Sequence, residues 1–120
     1  MDPQEVAAIK AVAADYIEGW YRGDEGRMDR ALLPDLVKRT VVPDQGLSDS
    51  SLRVVTKGRM MEMTAAGGGE DPDSAFEVTV DDISGDIASA RTVSKEYVDY
   101  LQLVKTPQGW RIANVLFRMR

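Results

Sequence analysis

The chain has 120 residues and a net charge of −5, so it fits a single folded domain and repels nucleic-acid backbones overall. It contains neither histidine nor cysteine, which excludes Ser-His-Asp and Cys-His catalysis, the usual zinc and haem sites, and disulfide bonds. We therefore expect no metal, no cofactor and no nucleic-acid partner. Any chemistry must come from carboxylates, tyrosines, lysines and arginines.

The N-terminal segment predicts a long amphipathic helix. Asp2 is a suitable N-cap, Pro3 suits the first helical position, and Glu5 has the spacing of a capping box. Apolar residues then recur at steps of three and four, namely Val6, Ile9, Ala13, Tyr16, Ile17 and Trp20. Gly23 is expected to end the helix.

The middle of the chain predicts short elements. Asp24 can cap a second helix that runs to about Leu32 and is ended by Pro34. The β-branched stretch 36–42 predicts a strand, and the polar stretch 43–51 predicts a loop. A short strand over 52–55 follows, and then a third helix that Thr56 caps and the glycines at 67–69 end.

From residue 74 onward the hydrophobic pattern changes to a period of two. It predicts four strands, over 76–83, 87 to about 96, 97–105 and 110–119. Helices followed by a meander of strands indicate an α+β fold, with three N-terminal helices on the concave face of a curved antiparallel sheet of about six strands. Residues 1–120 are expected to form one domain.

The last two predicted strands are apolar on both faces. Simple alternation places one set on one face: Leu101, Leu103, Trp110, Ile112 and Leu116. It places the second set on the other face: Val98, Tyr100, Val104, Val115, Phe117 and Met119. Because the helices cover only one face, we expect a second copy of the chain to cover the outer one in a homodimer.

Two absences bear on location. No apolar run approaches the roughly 20 residues that cross a bilayer, and the first ten residues lack the apolar core of a signal peptide. We expect a cytoplasmic protein with no membrane partner.

Several strings resemble the nuclear transport factor 2-like superfamily. They are Tyr-Ile-Glu-Gly-Trp-Tyr-Arg-Gly-Asp at 16–24, Ala-Leu-Leu-Pro-Asp at 31–35, Val-Asp-Tyr-Leu at 98–101 and Gly-Trp-Arg-Ile at 109–112. Within the superfamily the chain is most similar to the bacterial SnoaL-like branch, including the "putative lumazine-binding" family. The resemblance implies a cone-shaped fold with a pocket at its open end, and usually a dimer. It leaves the activity open, since the superfamily contains isomerases, dehydratases and non-catalytic binders.

The resemblance implies two candidate catalytic residues. Tyr16 matches the helix-one tyrosine that donates a hydrogen bond to the oxyanion in ketosteroid isomerases. The pocket acid of those enzymes falls on Leu101, and Asp99 lies two residues earlier on the same face. The alternatives are that Tyr16 is a core aromatic and that Asp99 pairs with Arg118, with Arg91 or with backbone amides.

The ligand-binding candidates are Trp20, Leu101, Asn114, Leu116 and Arg118. By the same counting, the three on the last strand face the pocket, unless a bulge reverses the alternation. The family differs from this chain in two places. Relatives often have histidine where Leu33 stands, and the stretch 39–42, which matches the position of the isomerase base, has no carboxylate; Asp44 lies beyond it in the predicted loop.

Three functions follow as hypotheses. The first is a small-molecule-binding protein with an apolar pocket that carries a few polar groups. The second is a cyclase, isomerase or dehydratase that acts on an enolisable carbonyl through Asp and Tyr. The third is a non-catalytic dimerisation module whose own side chains fill the pocket.

Overall fold

The computed structural model describes residues 1–41, 52–69 and 71–120. Within these residues the chain forms three helices: α1 (Pro3–Arg22), α2 (Glu25–Ala31) and α3 (Lys57–Ala65). It also forms six strands: β1 (Leu32–Val41), β2 (Leu52–Thr56), β3 (Glu77–Ser84), β4 (Ile87–Val93), β5 (Tyr97–Thr106) and β6 (Gly109–Met119). The loop predicted over 43–51, Asp44 included, lies outside the described residues.

The strands form one sheet in the order β2-β1-β6-β5-β4-β3. Neighbours are antiparallel except β1 and β6, which run parallel. The sheet is curved and unclosed, and its inner face carries the helices, with α1 in contact with β3 and β6. The predicted α+β fold is confirmed. None of the helices in the described ranges has the length and apolar character that crossing a membrane requires.

Helix α1 begins as predicted but with a different role for Glu5. The Asp2 carboxylate accepts a hydrogen bond from the Gln4 amide at 2.8 Å, which satisfies one free donor of the first turn. Glu5 does not complete a capping box. Its two carboxylate oxygens accept hydrogen bonds from Lys105 Nζ and Trp110 Nε1, both at 2.6 Å, and so attach the start of α1 to the β5–β6 hairpin.

The boundary between α2 and β1 differs from the prediction. Helix α2 ends at Ala31, and β1 begins at Leu32 rather than at residue 36. Pro34 therefore lies inside a strand. The proline is tolerated because the pairing of β1 with β6 is irregular between Leu32 and Val37, where a missing N–H removes no regular ladder bond.

Strand β6 contains a bulge that decides which side chains face inward. Leu103 of β5 pairs with Ile112 and Gln102 pairs with Asn114, so Ala113 is an extra residue in β6. Beyond Ala113 the alternation is reversed. The predicted faces of β6 are therefore wrong past this point: Val115, Phe117 and Met119 belong to the inner face, whereas Asn114, Leu116 and Arg118 belong to the outer one.

Candidate functional site

The structure has a cavity of about 390 Å³ between the helices and the inner face of the sheet. Most of its walls are apolar, and they come from α1, β1, β2, α3, β5 and β6. The apolar wall residues include Ile17, Val41, Val55, Met60, Met63 and Phe117. The exposed residues Arg53 and Arg59 also line it and therefore mark its mouth.

Three buried polar side chains form the inner end of the cavity. Tyr16 lies on the buried face of α1, Lys38 on β1 and Asp99 on β5. Their exposed fractions are 2%, 7% and 2%. Helix α1 positions the tyrosine, and the sheet brings the other two together from either side of β6.

The three side chains form a continuous chain of hydrogen bonds. Lys38 Nζ donates to the Tyr16 hydroxyl at 2.6 Å, and that hydroxyl donates to Asp99 Oδ1 at 2.8 Å. The tyrosine oxygen thus lies between a cation and an anion, and the phenol proton is held toward the carboxylate. The charges of Lys38 and Asp99 cancel, which makes their shared burial tolerable.

Aromatic rings surround the cation. Lys38 Nζ lies 4.4 Å from the centroid of the Phe117 ring and 4.9 Å from that of Tyr16. Tyr97 packs edge to face against Phe117, with ring centroids 5.7 Å apart, and against Trp20, at 6.5 Å. These rings form one aromatic wall that continues from the polar end of the cavity.

Burial shifts the pKa values of all three polar groups. Desolvation lowers the pKa of Lys38 from 10.5 to about 8, although the charge of Asp99 opposes this. Desolvation raises the pKa of Asp99 above its ordinary 3.8, against the charge of Lys38 and the hydrogen bond from Tyr16. The pKa of Tyr16 is raised well above 10.0 by burial and by the neighbouring carboxylate. At neutral pH the phenol keeps its proton and most of the Lys38 amine carries a charge.

The structure brings together some of the residues selected from the sequence. Tyr16 and Asp99 are in direct contact, and Trp20 lines the same cavity. Leu101 is on the inner face beside Asp99, but it is 1% exposed and belongs to the core below the cavity. Asp99 is bonded to Tyr16, whereas Arg91 and Arg118 are exposed side chains of the outer face.

The predicted orientation of three residues on β6 is corrected. Asn114 is exposed and donates to Gln102 Oε1 at 3.0 Å on the outer face, Leu116 is 46% exposed, and Arg118 is exposed as well. None of the three lines the cavity. The bulge at Ala113 is the cause, because its extra residue reverses the alternation of inward and outward side chains before these positions are reached.

Lys38 is the site residue that the sequence did not reveal. The only signal is its alternation with Leu36, which places the two side chains on one face of β1. The opposite face of that strand reads Val37-Arg39-Val41, which is equally apolar at its ends. A lysine and an arginine on the two faces of a short strand do not show which of them is buried.

Comparisons with known proteins bear on the family. The family model described as "Putative lumazine-binding" matches residues 4–118, nearly the whole chain. No curated protein matches.

Three solved structures illustrate the likeness in fold. A nuclear transport factor 2-like protein of unknown function from Shewanella baltica OS155 superposes with a TM-score of 0.85 at 21% identity, over 100% of this chain and 97% of that one. A cystatin-like fold protein from Burkholderia xenovorans LB400 gives 0.68 at 15%, over 98% and 93%. A protein from Streptomyces avermitilis described as a "putative dehydratase" gives 0.64 at 16%, over 100% and 99%.

At these identities the solved structures show only that the fold is shared. The family is shown by the family model, which matches residues 4–118 of the sequence. The chain belongs to the "putative lumazine-binding" family and shares the fold of the nuclear transport factor 2-like proteins.

Proposed function

We propose that this protein binds a small, largely apolar ring compound that presents a hydrogen-bond acceptor to Lys38. One observation carries the proposal: the apolar cavity ends on the buried Lys38–Tyr16–Asp99 chain. An apolar cleft with a few convergent polar groups is the usual form of a small-molecule site. A cavity of about 390 Å³ also argues against a pocket that its own side chains fill.

The acceptor requirement comes from the hydrogen bonds of Lys38. An ammonium group has three N–H donors, and one of them is used by the Tyr16 hydroxyl. Among the described residues the remaining donors have no protein partner, and Lys38 lines the cavity. The phenol proton of Tyr16 is already directed at Asp99. The inner end of the cavity therefore offers donors, which suit a carbonyl, phenolate or carboxylate oxygen.

The walls set the shape of the ligand. Trp20, Tyr97 and Phe117 present aromatic surface next to the donor group. A flat ring system stacks on such surface while its oxygen reaches Lys38. Lumazine, the pterin-like ring with two carbonyl groups in the name of the family, is flat and presents such acceptors, and it is the first probe to use.

Replacing Lys38 by methionine is expected to weaken lumazine binding at least about tenfold, the usual effect of losing a hydrogen bond from a charged donor. Methionine keeps most of the side-chain length and removes the charged donor group. Quenching of lumazine fluorescence at pH 7 measures the affinity. Arg118→Met is the matched control, since it removes a cation from the outer face of β6 and should leave the affinity unchanged. The proposal is contradicted if the wild type and Lys38→Met bind lumazine with equal affinity. It is also contradicted if neither lumazine nor 2-naphthol, a less polar flat ring with one oxygen, binds saturably.

A second candidate function is acid–base catalysis on an enolisable carbonyl. It is favoured by the contact between Tyr16 and Asp99, a donor and a carboxylate of raised pKa inside one cavity. The Streptomyces avermitilis protein described as a dehydratase has the same fold. Binding of a carbonyl compound to the donor end is common to both functions, and only turnover separates them.

We also propose that the outer face of the sheet forms a homodimer. Tyr100 and Leu116 are cross-strand partners on this face and are 58% and 46% exposed, although both are large and apolar. Changing both to glutamate is expected to convert a dimer into a folded monomer in sedimentation equilibrium. Gln108→Glu, in the β5–β6 turn, is the control that should stay dimeric. A monomeric wild-type protein would refute this assignment.

A further inference from the structure

We propose that Lys38 forms a reversible covalent imine with an aldehyde or ketone bound in the cavity, with Tyr16 and Asp99 as its proton relay. This inference rests on the proposed function, because the carbonyl compound must first occupy the apolar cavity. It assigns Lys38 a bond-forming role where the binding proposal needs only a donor.

The first argument is the arrangement of the charges. A lysine that only neutralised Asp99 would be expected to contact the carboxylate directly, since a direct ion pair gives the strongest attraction. Instead, the Tyr16 hydroxyl lies between the two groups, 2.6 Å from Lys38 Nζ and 2.8 Å from Asp99 Oδ1. Lys38 is thus bonded to a neutral group that can both accept and donate a proton.

The second argument is the contrast with the other lysines. Lys57, Lys95 and Lys105 each form an ion pair with a carboxylate, and Lys10 is exposed. Lys38 is 7% exposed, lies over the Phe117 ring and lines the cavity. Its nitrogen is therefore the lysine amine that a carbonyl compound in the cavity meets first.

The third argument is the availability of a neutral amine. Burial lowers the pKa of Lys38 to about 8 and raises that of Asp99, so passing a proton from the amine to the carboxylate is easier than in water. At pH 7.5 roughly a quarter of the Lys38 amines are uncharged, against about one in a thousand for an ordinary lysine. A desolvated lysine is the usual nucleophile for carbonyl carbon.

The step balances with the groups in the cavity. Lys38 gives one proton to the Tyr16 hydroxyl, and Tyr16 passes its own proton to Asp99. Lys38 is then a neutral amine and Asp99 a neutral carboxylic acid. The nitrogen lone pair then forms a bond to the carbonyl carbon, and the C=O π pair moves to oxygen, which takes up a proton from the new ammonium through Tyr16. Finally the proton on Asp99 returns through Tyr16 to this hydroxyl group. Water leaves as the nitrogen lone pair forms the C=N bond, and the iminium cation remains beside the Asp99 anion.

The test uses 2-naphthaldehyde with sodium cyanoborohydride, which reduces an imine to a stable secondary amine. We expect a mass gain equal to the aldehyde less one oxygen atom, and peptide mapping is expected to place it on Lys38. Trapping at Lys38 should be at least about tenfold faster than at any other lysine at pH 7. Its rate should reach half its maximum near pH 8, the pKa of Lys38, whereas trapping at surface lysines keeps rising.

Two controls separate this inference from the binding proposal. The first control is a pair of variants: Lys38→Met should lose the fast label, whereas Lys95→Met should retain it. The second control uses the wild-type protein, so it does not depend on the folding of a variant: added 2-naphthol should protect Lys38 from the aldehyde. If 2-naphthol binds but the aldehyde labels all lysines equally, the imine inference is overturned and the binding proposal stands. If neither 2-naphthol nor the aldehyde binds, the imine inference is overturned, and the binding proposal is overturned with it when lumazine does not bind either.

Discussion

Replacing Asp99 by asparagine is expected to lower the free energy of unfolding by roughly 3 kcal/mol at pH 6. The substitution keeps an oxygen for the Tyr16 hydrogen bond but removes the anion that raises the pKa of Lys38. The Lys38 cation then stays buried without a counter-charge, or it must lose its proton at a pH below its pKa. Either outcome costs free energy in the folded state. Urea unfolding followed by circular dichroism measures the change.

The double variant Asp99→Asn with Lys38→Met shows whether the loss comes from the unpaired charge. It has neither buried charge, so we expect most of the stability to return, as occurs when a buried ion pair is replaced as a unit. Glu77→Gln, which neutralises an exposed carboxylate on β3, should change little. Losses that simply add in the double variant would show that the two charges are not coupled.

Stability is also expected to increase with alkaline pH, by about 2 kcal/mol between pH 7.5 and 9.5. The pKa of Lys38 is 10.5 in the unfolded chain and about 8 in the folded one. Between these values the unfolded state binds more protons than the folded state, so raising the pH favours folding. Below pH 8 the penalty for burying the charged amine is present in full.

Chemical unfolding at several pH values tests this expectation. Lys38→Met should lack the increase, because it removes the group that titrates. Lys105→Met, which removes an exposed lysine, should retain it. If the free energy of unfolding rises equally with pH in the wild type and in Lys38→Met, the buried amine has an ordinary pKa.

Much of the fold could be predicted because each local signal agreed with the final structure. Asp24 caps α2 through the Arg27 amide at 3.1 Å, and Thr56 caps α3 through the Arg59 amide at 3.2 Å. The period-two pattern after residue 74 became β3 to β6 with small shifts at the ends. Such caps and alternations act within a few residues, so the sequence displays them directly.

The errors arose where pairing between distant strands decides the outcome. Pro34 reads as a helix terminator, yet it lies in an irregular part of β1 that only the contact with β6 defines. Ala113 carries no local sign of a bulge, because alanine suits either a regular or a bulged position. Tyr16 and Asp99 could be selected through the resemblance, whereas Lys38 joins them only through the register of β1 on β6.

The extra residue at Ala113 has a wider consequence. It determines that Phe117, rather than Arg118, stands beside Lys38. Deleting Ala113 itself would remove only the bulge and leave Phe117 in place, whereas deleting one residue beyond the bulge, between Asn114 and Phe117, would turn Arg118 inward instead. Within this family, a change of ligand preference can thus arise by insertion or deletion in a strand, a kind of divergence that comparing aligned columns for substitutions would overlook.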